Sequence, residues 1–152
     1  MTAPFAVQRA RLFFLLLLFR PTASQTYTVD NRNFRLDDVV PKNWTQARDY
    51  CRNTYPGYEL ASIHTPQEDS EVLKQVTSVF DYVWLGLNDL ATEGSLEWVD
   101  NSTVLYLPET FSNTNDEEKD AVAFKVIQSS QGWLYVSATS SRNGVLCAEP
   151  YR

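Results

Sequence analysis

The sequence predicts an α+β domain, and two observations carry this prediction. Apolar residues recur at helical spacing in two stretches before residue 77, and a helix-capping pattern opens each stretch. From Phe80 onward the pattern changes to short apolar or alternating runs separated by polar turns, which is typical of strands. Two early helices followed by a series of strands are characteristic of the α+β class.

The N-terminal segment is predicted to be a secretory signal peptide. Basic residues precede the apolar run Leu12–Phe19, which has only eight residues, whereas a helix that crosses a membrane needs about 20. The small residues Thr22–Ser24 follow, as at a cleavage site. We therefore assign 1–24 to the signal peptide and 25–152 to one secreted, extracellular domain with no membrane span. A buried helix is the alternative, which the lack of a polar face disfavours.

The first predicted elements of the domain are a strand at Tyr27–Val29 and a helix that begins near Asn43. Asn43 is a favourable N-cap, and Gln46 three residues later completes a capping box. The helix is expected to end by Pro56-Gly57, and residues 30–42 match no single element. Apolar residues at helical spacing form its buried face: Trp44, Ala47 and Cys51.

A second helix is predicted from the stretch Thr65–Glu68. Thr65 is the cap, Pro66 takes the first turn, and the Glu68 side chain is expected to reach back to the cap. Its buried stripe comprises Val72, Leu73 and Val76.

A pair of tryptophan-containing strands is predicted next. Tyr82–Leu87 is an apolar run suited to a strand buried on both faces, and Gly86 within it indicates a close backbone approach or a bend. Polar residues 88–95 form a loop, and Leu96–Val99 alternates as a half-buried strand does. The two large anchors of the core are predicted to be Trp84 and Trp98.

The remaining chain is predicted to complete the sheet. Ser112–Asp120 is a solvated polar loop, and Ala121–Val126 and Trp133–Val136 are strands. Ser129–Gly132 is expected to be the turn between them, and Val145–Ala148 is the last strand.

The charge of the chain excludes one class of partner. Without the predicted signal peptide, ten basic residues remain against 19 acidic ones, a formal net charge of −9. Binding to nucleic acid needs clustered Lys and Arg, so we expect no nucleic-acid partner. An acidic surface permits cationic partners, divalent metals or mineral surfaces.

The two cysteines are predicted to form one disulfide. Cys51 and Cys147 both lie in the mature part of the chain, and an even count in an oxidising compartment favours pairing. Two free buried thiols are the alternative.

An enzymatic function is not expected. The sequence has a single histidine, His64, and lacks the HExxH, CxxC and GxSxG patterns of common metal and nucleophile sites. His64 lies between an apolar segment and a helix cap, where a structural or surface role is the better interpretation.

The tryptophan strands resemble the central signature of C-type lectin-like domains. That family implies two helices packed on small antiparallel sheets with a long irregular loop region. The resemblance extends from about Tyr27 to Pro150, and these stretches carry it: Trp44–Ala47 with Cys51, Leu60–Ile63, Trp84–Leu87, Trp98–Asp100, Gly132-Trp133 and Val145–Cys147.

The calcium site of the sugar-binding members of the family is incomplete in this sequence. Their ligands come from a Glu-Pro-Asn or Gln-Pro-Asp loop and from Asn-Asp after a tryptophan. Here Leu134-Tyr135 follow Trp133, and Phe111–Asn113 replace the loop motif, so that only Asn113 matches. Calcium binding, which takes six to eight oxygen ligands, is therefore not expected at the usual site.

Loop residues with oxygen-bearing side chains nevertheless form a candidate ligand or calcium site. They would cluster if the two polar loops meet, whereas the alternative is that they only solvate those loops. The candidates are Asn88, Asp89, Glu93, Asn113, Asp116 and Glu117.

Two Asn-X-Thr sequons are candidate glycosylation sites. Asn101 follows Trp98–Asp100 in a predicted hairpin turn and is the better candidate. Asn43 is the predicted helix cap, where we expect the adjoining strand or helix to hinder the transferase.

Taken with the resemblance, these features predict a secreted binding module that recognises a glycan or protein ligand without the usual calcium–sugar geometry. An acidic structural protein of an extracellular or mineral matrix is the alternative. Calcite or hydroxyapatite adsorption that is lost when Asp116–Asp120 is neutralised would favour that alternative.

Overall fold

A computed structural model describes residues 24–76, 80–111, 118–127 and 130–152. The predicted signal peptide, apart from Ser24, and the polar stretch 112–117 lie outside the described residues. Neither of the two helices, each 11 residues long, is long and apolar enough to cross a membrane.

The described residues form two helices and eight strands. The helices are α1 (Trp44–Thr54) and α2 (Pro66–Val76). The strands are β1 (Gln25–Val29), β2 (Arg32–Lys42), β3 (Glu59–Leu60), β4 (Tyr82–Asn88), β5 (Glu97–Trp98), β6 (Ala121–Ile127), β7 (Ser130–Val136) and β8 (Arg142–Ala148).

The strands join in one sheet with the order β1-β2-β8-β4-β6-β7, to which β3 adds through β8 and β5 through β4. Neighbouring strands are antiparallel except for β4 and β8, which pair in parallel through Val83 with Gly144 and Trp84 with Val145. The predicted α+β class is confirmed. The expected small antiparallel sheets are instead one mixed sheet, because β8 returns between β2 and β4 and connects the two halves.

The predicted capping box of α1 is present. The Gln46 backbone N–H donates to Asn43 Oδ1 over 2.9 Å, and the Asn43 N–H donates to Gln46 Oε1 over 3.1 Å. At α2, Thr65 accepts from the Glu68 N–H over 3.0 Å, as predicted. The Glu68 carboxylate reaches one residue past the cap and accepts from the His64 N–H over 2.6 Å.

Two segments differ from the sequence prediction because strand pairing overrides local composition. Residues 32–42, which matched no single element, form β2 and pair with both β1 and β8. The predicted turn Ser129–Gly132 is wrong for its last three residues, since β7 begins at Ser130 and pairs Gln131 with Val126 and Gly132 with Lys125.

The core consists of two apolar clusters on opposite faces of the sheet. Along β8, Val145 and Cys147 point into one cluster, whereas Leu146 and Ala148 point into the other. The disulfide between Cys51 and Cys147 is present, as predicted, and joins α1 to β8 within the first cluster. The two predicted anchors are both buried, Trp84 in the first cluster and Trp98 in the second.

Gly86 lies where another backbone approaches β4, as its position in the strand predicts. A Cβ added at Gly86 would lie 2.5 Å from the Leu60 carbonyl oxygen and 2.8 Å from Val99 Cγ1. Rotation of a side chain cannot relieve contact with a backbone oxygen, so we expect Gly86→Ala to lower the free energy of unfolding by about 2 to 3 kcal/mol. Urea unfolding measures this difference.

Gly57→Ala is the control for that substitution. Gly57 has a φ of +85°, and an added Cβ would meet nothing within 4 Å, so only left-handed strain of about 1 kcal/mol is expected. If Gly86→Ala lowers the free energy of unfolding no more than Gly57→Ala does, the close backbone approach does not restrict the side chain at residue 86.

Candidate functional site

Asn88 does not present its amide to a ligand. The side chain is 3% exposed, and its Nδ2 donates to the carbonyl oxygens of Gly86 and Glu97, each over 3.3 Å. Its Oδ1 accepts from the Leu90 N–H over 3.3 Å. Asn88 therefore fixes the backbone where β4 turns toward β5, and its amide groups are engaged in that role.

Asp89 holds the next loop and retains one unengaged oxygen. The residue is 3% exposed, and its Oδ2 accepts from the Gly94 N–H over 3.0 Å. Its Oδ1 has no hydrogen-bond partner in the described part of the chain. Glu93 is exposed in the same loop.

The structure brings Asp89 and Glu93 close to Tyr135 of β7. Burial raises the pKa of the Tyr135 hydroxyl, and the negative charges of Asp89 and Glu93 raise it further. The hydroxyl therefore stays protonated at neutral pH. The resemblance places Tyr135 at the position of an expected calcium ligand, but its proximity to this loop depends on the pairing of β6 with β4 and β7.

The other candidate loop residues, Asn113, Asp116 and Glu117, lie outside the described residues. Within the described ranges, no group of three or more His, Cys, Asp or Glu side chains is arranged to hold a metal ion. The structure thus brings together two of the six candidates, Asp89 and Glu93. The Asn88 side chain is instead bonded to backbone groups.

Aromatic rings fill the neighbouring part of the loop region. The rings of Phe111 and Tyr135 stack with centroids 5.2 Å apart and planes 21° apart. Trp133 lies edge-on to three rings at centroid distances of 5.8 to 6.0 Å: Trp98, Tyr106 and Phe111. Trp133 and Tyr135 are only 5% and 4% exposed, so their faces contact protein and not solvent.

Asp69 of α2 anchors this aromatic cluster. It accepts from Trp133 Nε1 over 2.8 Å and from the Tyr106 hydroxyl over 3.0 Å. Burial raises the pKa of Tyr106 to about 12, with further contributions from the hydrogen bond to Asp69 and from the charges of Asp69 and Glu109. One carboxylate therefore ties α2 to both the long loop and β7.

A second group of polar side chains, which sequence analysis did not predict, surrounds the buried Arg32. Its guanidinium donates to the Ser62 carbonyl oxygen over 2.8 Å, to Ser62 Oγ over 2.7 Å and to Glu68 Oε1 over 3.2 Å. Its Nε donates to the Glu149 carbonyl oxygen over 2.6 Å. Arg32 is 7% and Glu68 1% exposed, so this is a buried ion pair with its hydrogen-bonding groups engaged.

The same network continues through Asp100. Its Oδ2 accepts from Ser62 Oγ over 2.6 Å and from the Tyr151 N–H over 3.1 Å, and its Oδ1 accepts from the Ser102 hydroxyl. Burial raises the pKa of Asp100, but the hydrogen bonds from Ser102 and Ser62 outweigh it and leave the pKa below its ordinary value. The carboxylate therefore stays ionised and holds three segments together.

His64 adjoins this network without forming a catalytic triad. Its Nε2 lies 3.0 Å from Ser102 Oγ, and its Nδ1 has no partner among the described residues. In a triad the carboxylate binds the histidine and the histidine takes the serine proton. Here Asp100 binds the serine directly. The contacts among Ser102, Asp100 and His64 therefore indicate a structural role.

Acidification is expected to destabilise the fold through His64. Burial lowers the pKa of His64, and the charge of Arg32 lowers it further against the opposing effects of Glu68 and Asp100. The unfolded chain therefore takes up this proton first, and stability falls as the pH drops through about 6.5 toward the folded-state pKa. Urea unfolding between pH 8 and pH 5, in steps of about half a unit, should show this loss.

His64→Gln is the control for this pH dependence, because His64 is the single histidine of the chain and Gln keeps an N–H near Ser102. The variant should lose the pH-dependent part of the unfolding free energy in this range. An equal decline in the variant would assign the effect to other groups.

Comparison with known proteins identifies the architecture. The family model described as the lectin C-type domain matches residues 40–149. A galactose-binding C-type lectin isoform of Pseudechis porphyriacus is 37% identical over 70 residues, and a mannose-binding isoform of Notechis scutatus scutatus is 35% identical over 69 residues. These alignments cover 44% and 43% of this chain, and they span less than half, 44%, of each relative.

A solved structure shows the same fold over most of both chains. Ovocleidin-17 of the Gallus gallus eggshell calcified layer superposes with a TM-score of 0.70 at 18% identity. The superposition covers 83% of this chain and 96% of that chain.

Proposed function

Because the chain belongs to the C-type lectin domain family, we propose that it is a secreted module that binds a protein or glycan through its long-loop face. We define this face by the described residues 88–95, 101–111 and 118–120. We further propose that binding does not use calcium at the usual site. The relatives that the chain matches are lectins, a family of binding proteins and not of enzymes.

The stacked rings of Phe111 and Tyr135 support the proposal that binding does not use calcium at the usual site. These residues stand at two of the positions where the resemblance places calcium ligands, and their centroids are 5.2 Å apart. Calcium needs six to eight oxygens at about 2.3 to 2.6 Å. A phenyl ring supplies no oxygen. The Tyr135 hydroxyl is a neutral phenol at physiological pH, and its raised pKa makes ionisation harder still.

Calorimetric titration with calcium, with and without mannose or galactose, tests this directly. The expected result is weak calcium uptake that does not change with either sugar, as for separate loop carboxylates such as Asp89 and Glu93. One tight calcium per domain whose affinity rises with sugar would overturn the proposal. That outcome would mean that Asn113, Asp116 or Glu117 rebuilds the site.

A protein ligand has better support than a glycan. Of the aromatic rings at this face, Trp133 and Tyr135 are buried, and Tyr106 and Phe111 are partly buried against the core, so none presents a fully exposed face to a sugar. Exposed apolar side chains are instead available at this face and on β7, among them Leu90 at 47% and Leu134 at 40% exposure. Apolar side chains of this kind provide contact area at protein interfaces. Specific glycan binding on an array in the presence of chelator would contradict this preference.

Asn101 is the proposed glycosylation site. It is exposed, adopts φ +60° and follows β5, with its N–H bonded to the Trp98 carbonyl oxygen over 3.0 Å. Asn43 uses its side-chain oxygen to cap α1. We expect a mass shift on treatment with an N-glycosidase that Thr103→Ala abolishes and Thr45→Ala retains. The reverse pattern would assign the glycan to Asn43.

A further inference from the structure

The side chains of residues 103–107 alternate between exposed and partly buried, as they do in a strand, although the segment belongs to no strand of the sheet. Thr103, Leu105 and Leu107 are exposed, the two leucines at 63% and 40%. Val104 and Tyr106 are partly buried and pack against the core. One side of the segment therefore belongs to the domain, and the other presents apolar side chains to solvent.

The backbone of this segment has the hydrogen-bonding capacity of an unpaired edge. Backbone bonds close the chain on both sides of it, from the Asn101 N–H to the Trp98 carbonyl and from the Phe111 N–H to the Pro108 carbonyl. Between them, the N–H and C=O groups of 103–107 make no hydrogen bond to any described residue. Unpaired backbone groups beside exposed side chains form a template for pairing with another strand.

We propose that residues 103–107 pair antiparallel with the same residues of a second copy of this chain, with Leu105 opposite Leu105. In this register, Thr103 lies opposite Leu107 and Val104 lies opposite Tyr106. Residues directly opposite one another in an antiparallel pair share a face. Exposed residues thus meet exposed residues, and core-packed residues meet core-packed residues.

The distribution of charge favours a second copy as the occupant of this edge. Without the predicted signal peptide the chain has a formal net charge of −9, so two copies repel over most of their surfaces. Residues 101–108 contain no charged side chain. The first acidic residue beyond them, Glu109, falls opposite the neutral Asn101 in this register, so no carboxylates are opposed along the pair.

The length of the segment sets the strength of the association. A pair of five-residue strands buries less than the roughly 1,200 Å² of a stable protein interface. The dimer is therefore weak and forms only at high protein concentration.

Sedimentation equilibrium from micromolar to millimolar protein at physiological salt tests the proposal, on protein freed of N-linked glycans by enzymatic treatment. Leu105→Lys and Leu105→Glu each place like charges opposite one another, so each should weaken dimerisation at least about fivefold. An equimolar mixture of the two variants places Lys opposite Glu and should restore dimerisation. Leu105 is largely exposed, so neither change should unfold the domain, which circular dichroism verifies.

Val40→Lys is the matched control, since Val40 is 80% exposed on β2 outside this segment. It should dimerise as the unaltered chain does. Three results would each overturn the proposal: a chain that stays monomeric at millimolar concentration, a mixture that fails to restore dimerisation, or equal weakening by Val40→Lys.

Discussion

Replacing Trp84 with alanine is expected to prevent the domain from accumulating in folded form. Trp84 is fully buried, and its Nε1 donates to the Lys42 carbonyl oxygen over 2.9 Å. Truncating a buried tryptophan costs about 3 to 5 kcal/mol, which is a large part of the roughly 5 to 15 kcal/mol that stabilises a typical domain. The yield of folded protein and its urea midpoint measure the effect.

Trp84→Phe is the control for this prediction. It keeps most of the buried ring and removes the indole N–H. Its loss of stability should therefore be clearly smaller than that of the alanine variant. Trp98→Ala should resemble Trp84→Ala, because Trp98 is 1% exposed. A Trp84→Ala protein that folds with unchanged stability and loses only ligand binding would show that Trp84 is a ligand contact.

The second large effect is expected when the ion pair between Arg32 and Glu68 is broken. The two side chains are 8% and 2% exposed, and the Arg32 Nη1 to Glu68 Oε1 distance is 3.2 Å. Arg32→Met leaves the Glu68 carboxylate buried without its cation, and such a loss costs about 3 to 5 kcal/mol. Urea unfolding at neutral pH measures the change.

A double-mutant cycle separates the ion pair from simple loss of packing. Glu68→Gln keeps the shape of the side chain and removes its charge, so Arg32→Met with Glu68→Gln should be less destabilised than the sum of the two single variants. Recovery will be partial, because Asp100 Oδ2 lies 3.9 Å from Arg32 Nη2 and also loses its cation. If the two single losses of unfolding free energy add up to that of the double variant, Arg32 and Glu68 have no interaction energy.

Local patterns were sufficient to predict several elements. The N-caps at Asn43 and Thr65 involve residues three positions apart, so their hydrogen bonds depend on little beyond the helix itself. Gly86 signals a close approach because a strand buried on both faces has little other use for a residue without a side chain. The apolar runs around Trp84 and Trp98 likewise predict burial without knowledge of the partner residues.

The sheet needed information that no local pattern contains. The sequence of β2 has mixed polarity, and it forms a strand because it pairs with β1 and β8. The parallel pair of β4 and β8 joins residues about 60 positions apart, Val83 with Gly144. Composition can indicate that a strand exists, but the choice of neighbour depends on the packing of the whole domain.

By itself, the sequence determined the α+β class, the two helices and the tryptophan strands, because each follows from residue type and short-range spacing. It also determined the pairing of Cys51 with Cys147, because the chain has only these two cysteines. Only the tertiary structure decided which polar groups meet. Arg32 and Glu68 are 36 residues apart, and Asp100 joins them from a third segment. The stack of Phe111 on Tyr135 likewise depends on two distant segments meeting. Such contacts arise from long-range packing, so a sequence pattern identifies the residues involved without identifying their partners.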